Sequence, residues 1–232
     1  MLYILTDIII AGEKFNYGYC TEFIMSDPEF GVYHHSTKEQ SENLRKTAKA
    51  MFEEAFKKIE IPDDAKINIL DAGAGSGFLT YITASYFQNA HITAIDSFAD
   101  ESLKGNSVDR IKENLKTLGI LDRVTVLEED LRTPINTGRI FDLAISNIVL
   151  HNLGRARFLA YSNIGKTIKC KGYFLNADGF IRKNIFTDPF RKDMARIASS
   201  FSPDFAMEPS YQRKKSAWRY ILVGLKTLCV EK

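Results

Sequence analysis

Between Leu44 and Ile59 the apolar side chains fall at helical spacing. Leu44, Ala48, Met51, Phe52, Ala55, Phe56 and Ile59 share one face, and polar residues fill the other. Ser36-Thr37-Lys38-Glu39 ahead of them reads as a capping box, with Ser36 accepting and Glu39 reaching back, and Pro62 follows the stop. The pattern predicts a long amphipathic helix over 37–59. From residue 66 the period changes. Short apolar runs predict strands at 66–71, 91–96, 123–128, 141–147 and 172–178. Helical patterns at 77–87, 107–118, 155–169 and 188–200 separate or follow them. Ser107 caps the second of these helices and Gly119 closes it, while Asp188-Pro189 opens the fourth with an N-cap and a proline at the first helical position. Apolar runs alternating with helices belong to a parallel sheet covered on both faces. Two closing runs, 204–209 and 217–225, lie close enough in sequence for an antiparallel hairpin at the sheet edge. The expected fold is therefore α/β, doubly wound and mostly parallel, with a C-terminal antiparallel hairpin and a helical N-terminal extension.

The richest stretch is Lys66-Ile67-Asn68-Ile69-Leu70-Asp71-Ala72-Gly73-Ala74-Gly75-Ser76-Gly77. It reads as a buried strand that ends in an acid and passes through a glycine-rich turn into the apolar helix pattern from Phe78. Glycines admit backbone conformations closed to other residues and let a ligand approach closely. The helix N-terminus beyond them offers unpaired N–H groups to an anion. An acid at the strand end followed by Gly-x-Gly-x-Gly resembles motif I of the class I S-adenosylmethionine-dependent methyltransferases. Asp71 suits the positive groups of S-adenosylmethionine and would sit badly against a pyrophosphate. A dinucleotide turn, G-x-G-x-x-G, would need its third glycine at the position of Phe78.

That resemblance covers about residues 62–228 and implies a seven-stranded sheet, a methyltransferase activity of the small-molecule type, and S-adenosylmethionine as cofactor. It also implies a set of cofactor contacts. Asp71, Ala72, Gly73, Gly75 and Gly77 would take the methionine end. Asp96, ending the second strand 19 residues after Gly77, would take the ribose hydroxyls with Ser97 beside it. Asp130 and Leu131 would take the adenine, although Glu129 could shift that register by one. Asp100 to Gly105 look like extra residues relative to the family, which puts the neighbouring ribose contacts in doubt. The fourth strand runs Ser146-Asn147-Ile148-Val149-Leu150-His151-Asn152-Leu153, similar to the "SNxxLHxL" form of the family's fourth motif. Asn147 and His151 would face the site. Amino-methylating DNA and protein enzymes carry N/D-P-P-Y/F there, and the absent prolines count against methylation of a base amine or a glutamine amide. His151 is read first as a wall beside the adenine or the methionine chain, and second as a general base.

Residues 1–35 are rich in aromatics. Tyr17, Tyr19 and Tyr33 are candidates for a lid over the acceptor, with Tyr33 the one carried forward as a catalytic candidate beside His151. His34-His35 lacks metal spacing, and no metal site is expected. The 232 residues suit one domain with an extension, divided as an aromatic lid and long helix over 1–61 and a cofactor-binding core over 62–232. The net charge of +2 is too balanced to argue for nucleic acid or an anionic membrane. Arg213-Lys214-Lys215 beside Trp218 reads as a charged hairpin tip, or else as an RNA contact. Cys20, Cys170 and Cys229 are few and widely spaced, which suggests reduced thiols in a cytoplasmic protein. Met1 to Ile10 is apolar but contains Asp7 and no basic leader, unlike a signal peptide. The expected partner is a small-molecule acceptor, methylated at oxygen or carbon. The alternatives are RNA or protein methylation, a dinucleotide-dependent oxidoreductase, and a cofactor-binding regulator without activity. Self-association is left open.

Overall fold

The apolar strands pair side by side and bury both of their faces. A computed structural model of the chain describes residues 27–99, 103–183, 187–209 and 217–229, and the backbone of a short hairpin, β1 (Ile8–Ile10) and β2 (Glu13–Phe15). Then follow α1 (Lys38–Phe56), β3 (Asn68–Ala72), α2 (Phe78–Tyr86), β4 (His91–Asp96), α3 (Val108–Thr117), β5 (Val124–Glu128) and β6 (Phe141–Asn147). The chain ends with α4 (Arg157–Thr167), β7 (Ile168–Ile181), α5 (Pro189–Ile197), β8 (Phe201–Met207) and β9 (Trp218–Thr227).

The main sheet has seven strands in the order β5-β4-β3-β6-β7-β9-β8. β3 to β7 are mutually parallel, while β9 runs antiparallel to both neighbours. The hairpin expected at the edge is thus folded inward: β9 inserts between β7 and β8, and β8 forms the edge. Helices α1, α2 and α3 cover one face through Met51, Phe52, Phe56, Ile82, Ile111 and Leu115. Helices α4 and α5 cover the other through Ala160, Tyr161, Ile164, Met194 and Ile197. On the first face Phe56 packs against Tyr86 and Phe87 at centroid distances of 5.0 and 5.1 Å, which locks α1 onto the end of α2.

Several local expectations shift. The capping box of α1 is Thr37 with Gln40, one residue later than Ser36 with Glu39. The N–H of Gln40 donates to Thr37 Oγ1 at 3.1 Å, and the N–H of Thr37 donates to Gln40 Oε1 at 3.0 Å. Glutamine serves as well as glutamate there, and Ser36 is already turned back onto the carbonyl of Tyr33. Ser107 and Asp188 do cap α3 and α5. The helix expected over 155–169 is divided. A 3₁₀ segment, Leu150–Ala156, breaks at Gly154 (φ 54°), and α4 begins only at Arg157.

The cysteine reading is corrected. Cys170, at the start of β7, and Cys229, just past β9, form a disulfide, with their Cα atoms 4.8 Å apart. Sequence distance hid this pairing. The antiparallel register that sets Tyr173 opposite Lys226 brings residues 59 apart in sequence face to face. Among the described residues no helix is long and apolar enough to cross a membrane.

Candidate active site

The glycine turn has a backbone that only glycines adopt readily. Gly73, Gly75 and Gly77 all have positive φ (85°, 53° and 88°). At Gly73 the need is also steric, since a Cβ there would lie 2.4 Å from Val149 Cγ2. Gly77 is the left-handed N-cap of α2. The N–H groups of Gly73 and Ala74 donate to the carbonyl of Ile95 at 2.8 and 3.0 Å, tying the turn to the end of β4. Beneath it Asp71 is wholly buried. Its Oδ2 accepts from the Thr80 hydroxyl at 2.6 Å, while Oδ1 has no partner. Burial raises this carboxyl to about 7 against the pull of the Thr80 bond, and the negative charge of Asp96 adds to the rise.

Above the carboxyl ends of β3, β4 and β6 lies an open cavity of about 430 Å³, lined by Gly73, Gly75, Asp96, Ser97, Asp130, Leu131 and Asn147, among others. Seven of the ten residues singled out for the cofactor thus meet on one wall. Asp71, Ala72 and Gly77 lie beneath or behind it. Asp96 is held in place by the glycine turn and its own loop: Oδ2 accepts from the Gly75 N–H at 2.9 Å and Oδ1 from the Phe98 N–H at 2.7 Å. Asp130 is grasped by Arg132, whose Nε and Nη2 donate to its carboxylate at 2.6–2.9 Å. That hydrogen bonding keeps the carboxyl below its ordinary range. Both Glu129 and Asp130 line the cavity.

The segment after β6 separates this cavity from a second recess. Ile148 has φ 58°, rare for a β-branched residue, and its N–H donates to the carbonyl of Ala177 at 2.8 Å. This reversal leaves Asn147, Ile148, Val149, Asn152 and Leu153 on the cavity side and sends His151 to the other. His151, expected first as a wall beside the adenine or the methionine chain, is therefore not among the residues lining the larger cavity. His151 lines a recess of about 90 Å³ with Asp178, Gly179, Tyr161 and Trp218. Its Nδ1 lies 2.5 Å from Asp178 Oδ1, and its backbone N–H donates to Oδ2 at 2.9 Å. Gly179 N–H also donates to Oδ1, at 2.8 Å, so the buried carboxylate is fixed by the backbone. The Trp218 ring stands edge-on to the imidazole at 6.1 Å.

Tyr33 is half-buried and off the cavity wall. It forms an isolated bridge with Leu103, which does line the cavity, and its N–H donates to Ser41 Oγ at 3.1 Å. The strap leading to it is pinned to the glycine turn by Asn114 on α3. The Asn114 amide donates to the carbonyls of Ser76 and Glu29 at 2.8 and 2.9 Å and accepts from the N–H of Glu29. His34 and His35 are exposed and stack on each other, and no metal-binding cluster occurs among the described residues. Tyr17, Tyr19, Cys20 and Arg213-Lys214-Lys215 lie outside the described residues. Asn106, Arg132 and Tyr220 escaped the sequence reading. The Tyr220 hydroxyl, from β9, donates to Asn147 Oδ1 at 2.6 Å. Only its apolar neighbours in the closing run marked that residue in the sequence.

A family model described as a methyltransferase domain matches residues 63–222. A release factor glutamine methyltransferase of Bacillus anthracis is 34% identical over 85 residues, which is 36% of this chain. The matched stretch spans only about a quarter, 27%, of that relative's length. Among solved structures, the StiE O-MT superposes with a TM-score of 0.62 at 14% identity, over 84% of this chain and 77% of that one. The N-methyltransferase NodS of Bradyrhizobium japonicum, in complex with S-adenosyl-L-homocysteine, does so with a TM-score of 0.53 at 14% identity, over 84% and 89%. Those two likenesses speak for the fold alone. With the family match over most of the chain, the seven-stranded order and the glycine turn above an acid, the chain belongs to the class I S-adenosylmethionine-dependent methyltransferases.

Proposed function

We propose that the chain methylates a hydroxyl group of a small molecule, with His151 as general base and Asp178 as the group that orients it. The observation that carries this reading is the His151–Asp178 pair beside the cofactor cavity. Next to a carboxylate oxygen, Nδ1 is the nitrogen that holds the proton, so the basic lone pair belongs to Nε2. Asp178 cannot swing away, because three N–H groups hold it. Such a pair suits removal of a hydroxyl proton as the oxygen becomes a nucleophile.

The cofactor site fits its ligand on its own chemistry. Asp71 Oδ1 is buried and unpartnered, and the buried Ser76 Oγ above it likewise lacks a partner. Asp71 and the Gly73–Gly77 turn are assigned to the methionine end, Asp96 with Ser97 to ribose, and Asp130 with Leu131 to adenine. When bound, S-adenosylmethionine supplies an electrophilic methyl group, so positioning and deprotonation of the acceptor are what the protein must add.

The relative named a glutamine methyltransferase raises amide nitrogen as a second acceptor. Against it stands Asn147, whose side-chain carbonyl is already taken by the Tyr220 hydroxyl and is followed by Ile148 and Val149 where amide-methylating enzymes have prolines. A methyl-labelled cofactor offered with a panel of hydroxylated small molecules tests the choice. With a panel member that is turned over, His151→Ala and Asp178→Asn should lower turnover by about 10²–10⁴-fold while S-adenosylmethionine binds as before. Full turnover in His151→Ala, or transfer only to a peptide glutamine, would refute the proposal.

A further inference from the structure

The recess that holds His151 has an apolar lip. Ile181 ends β7 and Trp218 begins β9, and the two stand opposite each other across the strand pair. Both line the recess, yet Ile181 is 53% exposed and Trp218 50%. Between indole and imidazole lies Gly179. A Cβ there would be 3.5 Å from Trp218 Cε3 and 4.0 Å from His151 Cγ. These are ordinary contacts, so the protein's own packing does not demand a glycine. Its φ is not positive, and its pairing with Tyr220 carries no bulge. A strand glycine with neither of those reasons marks a place where something else comes close.

The lining says what comes close. Its charged groups are closed on one another. Arg157 donates to Asp193 at 2.8–3.1 Å and to the carbonyl of Gly154 at 2.6 Å, and Asp178 is held by His151 and Gly179. The Tyr161 hydroxyl accepts from the Asn176 amide at 2.8 Å. The rest of the lining is Trp218, Ile181, Phe180, Pro189 and Gly179, which suits an uncharged ligand. At about 90 Å³ the recess is smaller than the apolar cavity of about 150 Å³ that encloses benzene. A single ring fits it edge-first, with one face left on the exposed lip, and a fused ring system does not.

The recess borders the larger cavity at two points. His151 adjoins Asn152, which lines that cavity, and Tyr220, opposite Gly179 in the sheet, donates to Asn147 on its wall. We propose that Trp218 and Gly179 seat one flat aromatic ring and that this ring carries the acceptor hydroxyl, so that the acceptor is an uncharged phenol. The inference rests on the hydroxyl-methylating reading for the use made of the seat. A phenolic hydroxyl, with a pKa of about 10 as in tyrosine, is also far easier for an imidazole to deprotonate than an alkyl alcohol.

Trp218 is the only tryptophan of the chain, so its fluorescence reports on the seat alone. Full-length protein loaded with S-adenosylhomocysteine is titrated with phenol and separately with cyclohexanol, with excitation where neither phenol nor tyrosine absorbs. Phenol should change the emission saturably and bind about threefold to tenfold more tightly than cyclohexanol, the range a stacked aromatic pair adds. Gly179→Ala should melt no lower than the wild type and bind S-adenosylmethionine within about twofold of it, yet weaken phenol about tenfold or more by filling the gap. With a phenolic acceptor the same variant should raise KM by about tenfold and change kcat by less than about threefold. Followed by calorimetry, Trp218→Leu should lose the preference for phenol and Trp218→Phe should keep it, which covers the case in which the alanine variant folds poorly. Three results would each overturn the seat: phenol bound no better than cyclohexanol, phenol bound as tightly by Gly179→Ala as by the wild type, or the preference intact in Trp218→Leu. Phenol bound as described, with no methyl transfer to any phenol of a panel, would overturn the acceptor assignment. His151→Ala should still bind phenol while losing turnover, so failure of the proposed base and failure of the seat are read separately.

Discussion

Asp71 carries an unusual charge burden for a residue so deeply placed, and its titration has a definite sign. Its folded-state value, about 7, stands above the ordinary 3.8 because burial disfavours the carboxylate. The folded protein thus holds this proton more tightly than the unfolded chain does. Protonation of Asp71 stabilises the fold as pH falls from about 7 toward 4, and the contribution is absent above about 7, where both states are ionised. The slope in that window is at most about 1.4 kcal/mol per pH unit. Melting curves of wild type and Asp71→Asn in the absence of ligand check this. The stability difference between them should be flat above pH 7.5 and should shift in favour of the wild type as pH drops toward 5. A difference that does not change with pH would mean that Asp71 does not titrate in the window. The residue scale is also where sequence was most informative. Asp71 and the three glycines were legible because backbone φ and a strand end are local matters. Tyr220 and Asn106 were not, because each acquires its meaning from a partner 73 or 10 residues away in the folded chain. His151 lines the smaller recess and not the larger cavity, for a definable reason. The two-residue alternation of β6 ends at Ile148, where positive φ reverses the chain direction, and nothing in an isoleucine announces that.

At the scale of elements, α1 joins the cofactor end to the core. Its apolar stripe read correctly from Leu44 onward, and its cap was off by one because threonine with glutamine makes the same reciprocal pair as serine with glutamate. Two substitutions separate these contributions. Thr37→Ala removes the side-chain acceptor at the helix start and should cost about 1 kcal/mol. Phe56→Ala empties a fully buried position packed on Tyr86 and Phe87 and should cost about 3–5 kcal/mol in denaturant unfolding. A Phe56→Ala loss under 1 kcal/mol would show that α1 is not docked as described. The strand boundaries were less legible than the strands themselves. β7 starts at Ile168 and not near 172, and its bulged start, with Lys171 at φ 60°, obeys the pairing with β6 rather than any local signal.

For the whole molecule, the alternation of strands and helices sufficed to give the layer order, whereas the insertion of β9 between β7 and β8 and the Cys170–Cys229 disulfide depend on the closed sheet. The same closure sets the larger cavity on one side of the segment after β6 and the His151–Asp178 recess on the other. In the proposed function the donor would occupy the first compartment, and His151 would have to reach the acceptor from the second. Ligand binding to the first compartment should stabilise the whole domain, by about 2.7 kcal/mol at a hundredfold excess over Kd. The most direct test of the central claim, that a buried acid beneath the glycine turn receives a cationic nucleoside, is calorimetric titration with S-adenosylmethionine from pH 8.5 to 5.5, with NAD as control. The account predicts one-to-one binding that is constant above about pH 7 and weakens by up to tenfold per pH unit below it, with the pH dependence abolished in Asp71→Asn and no binding of NAD. Affinity unchanged across that range, or a cavity that takes up NAD and refuses the sulfonium, would contradict it.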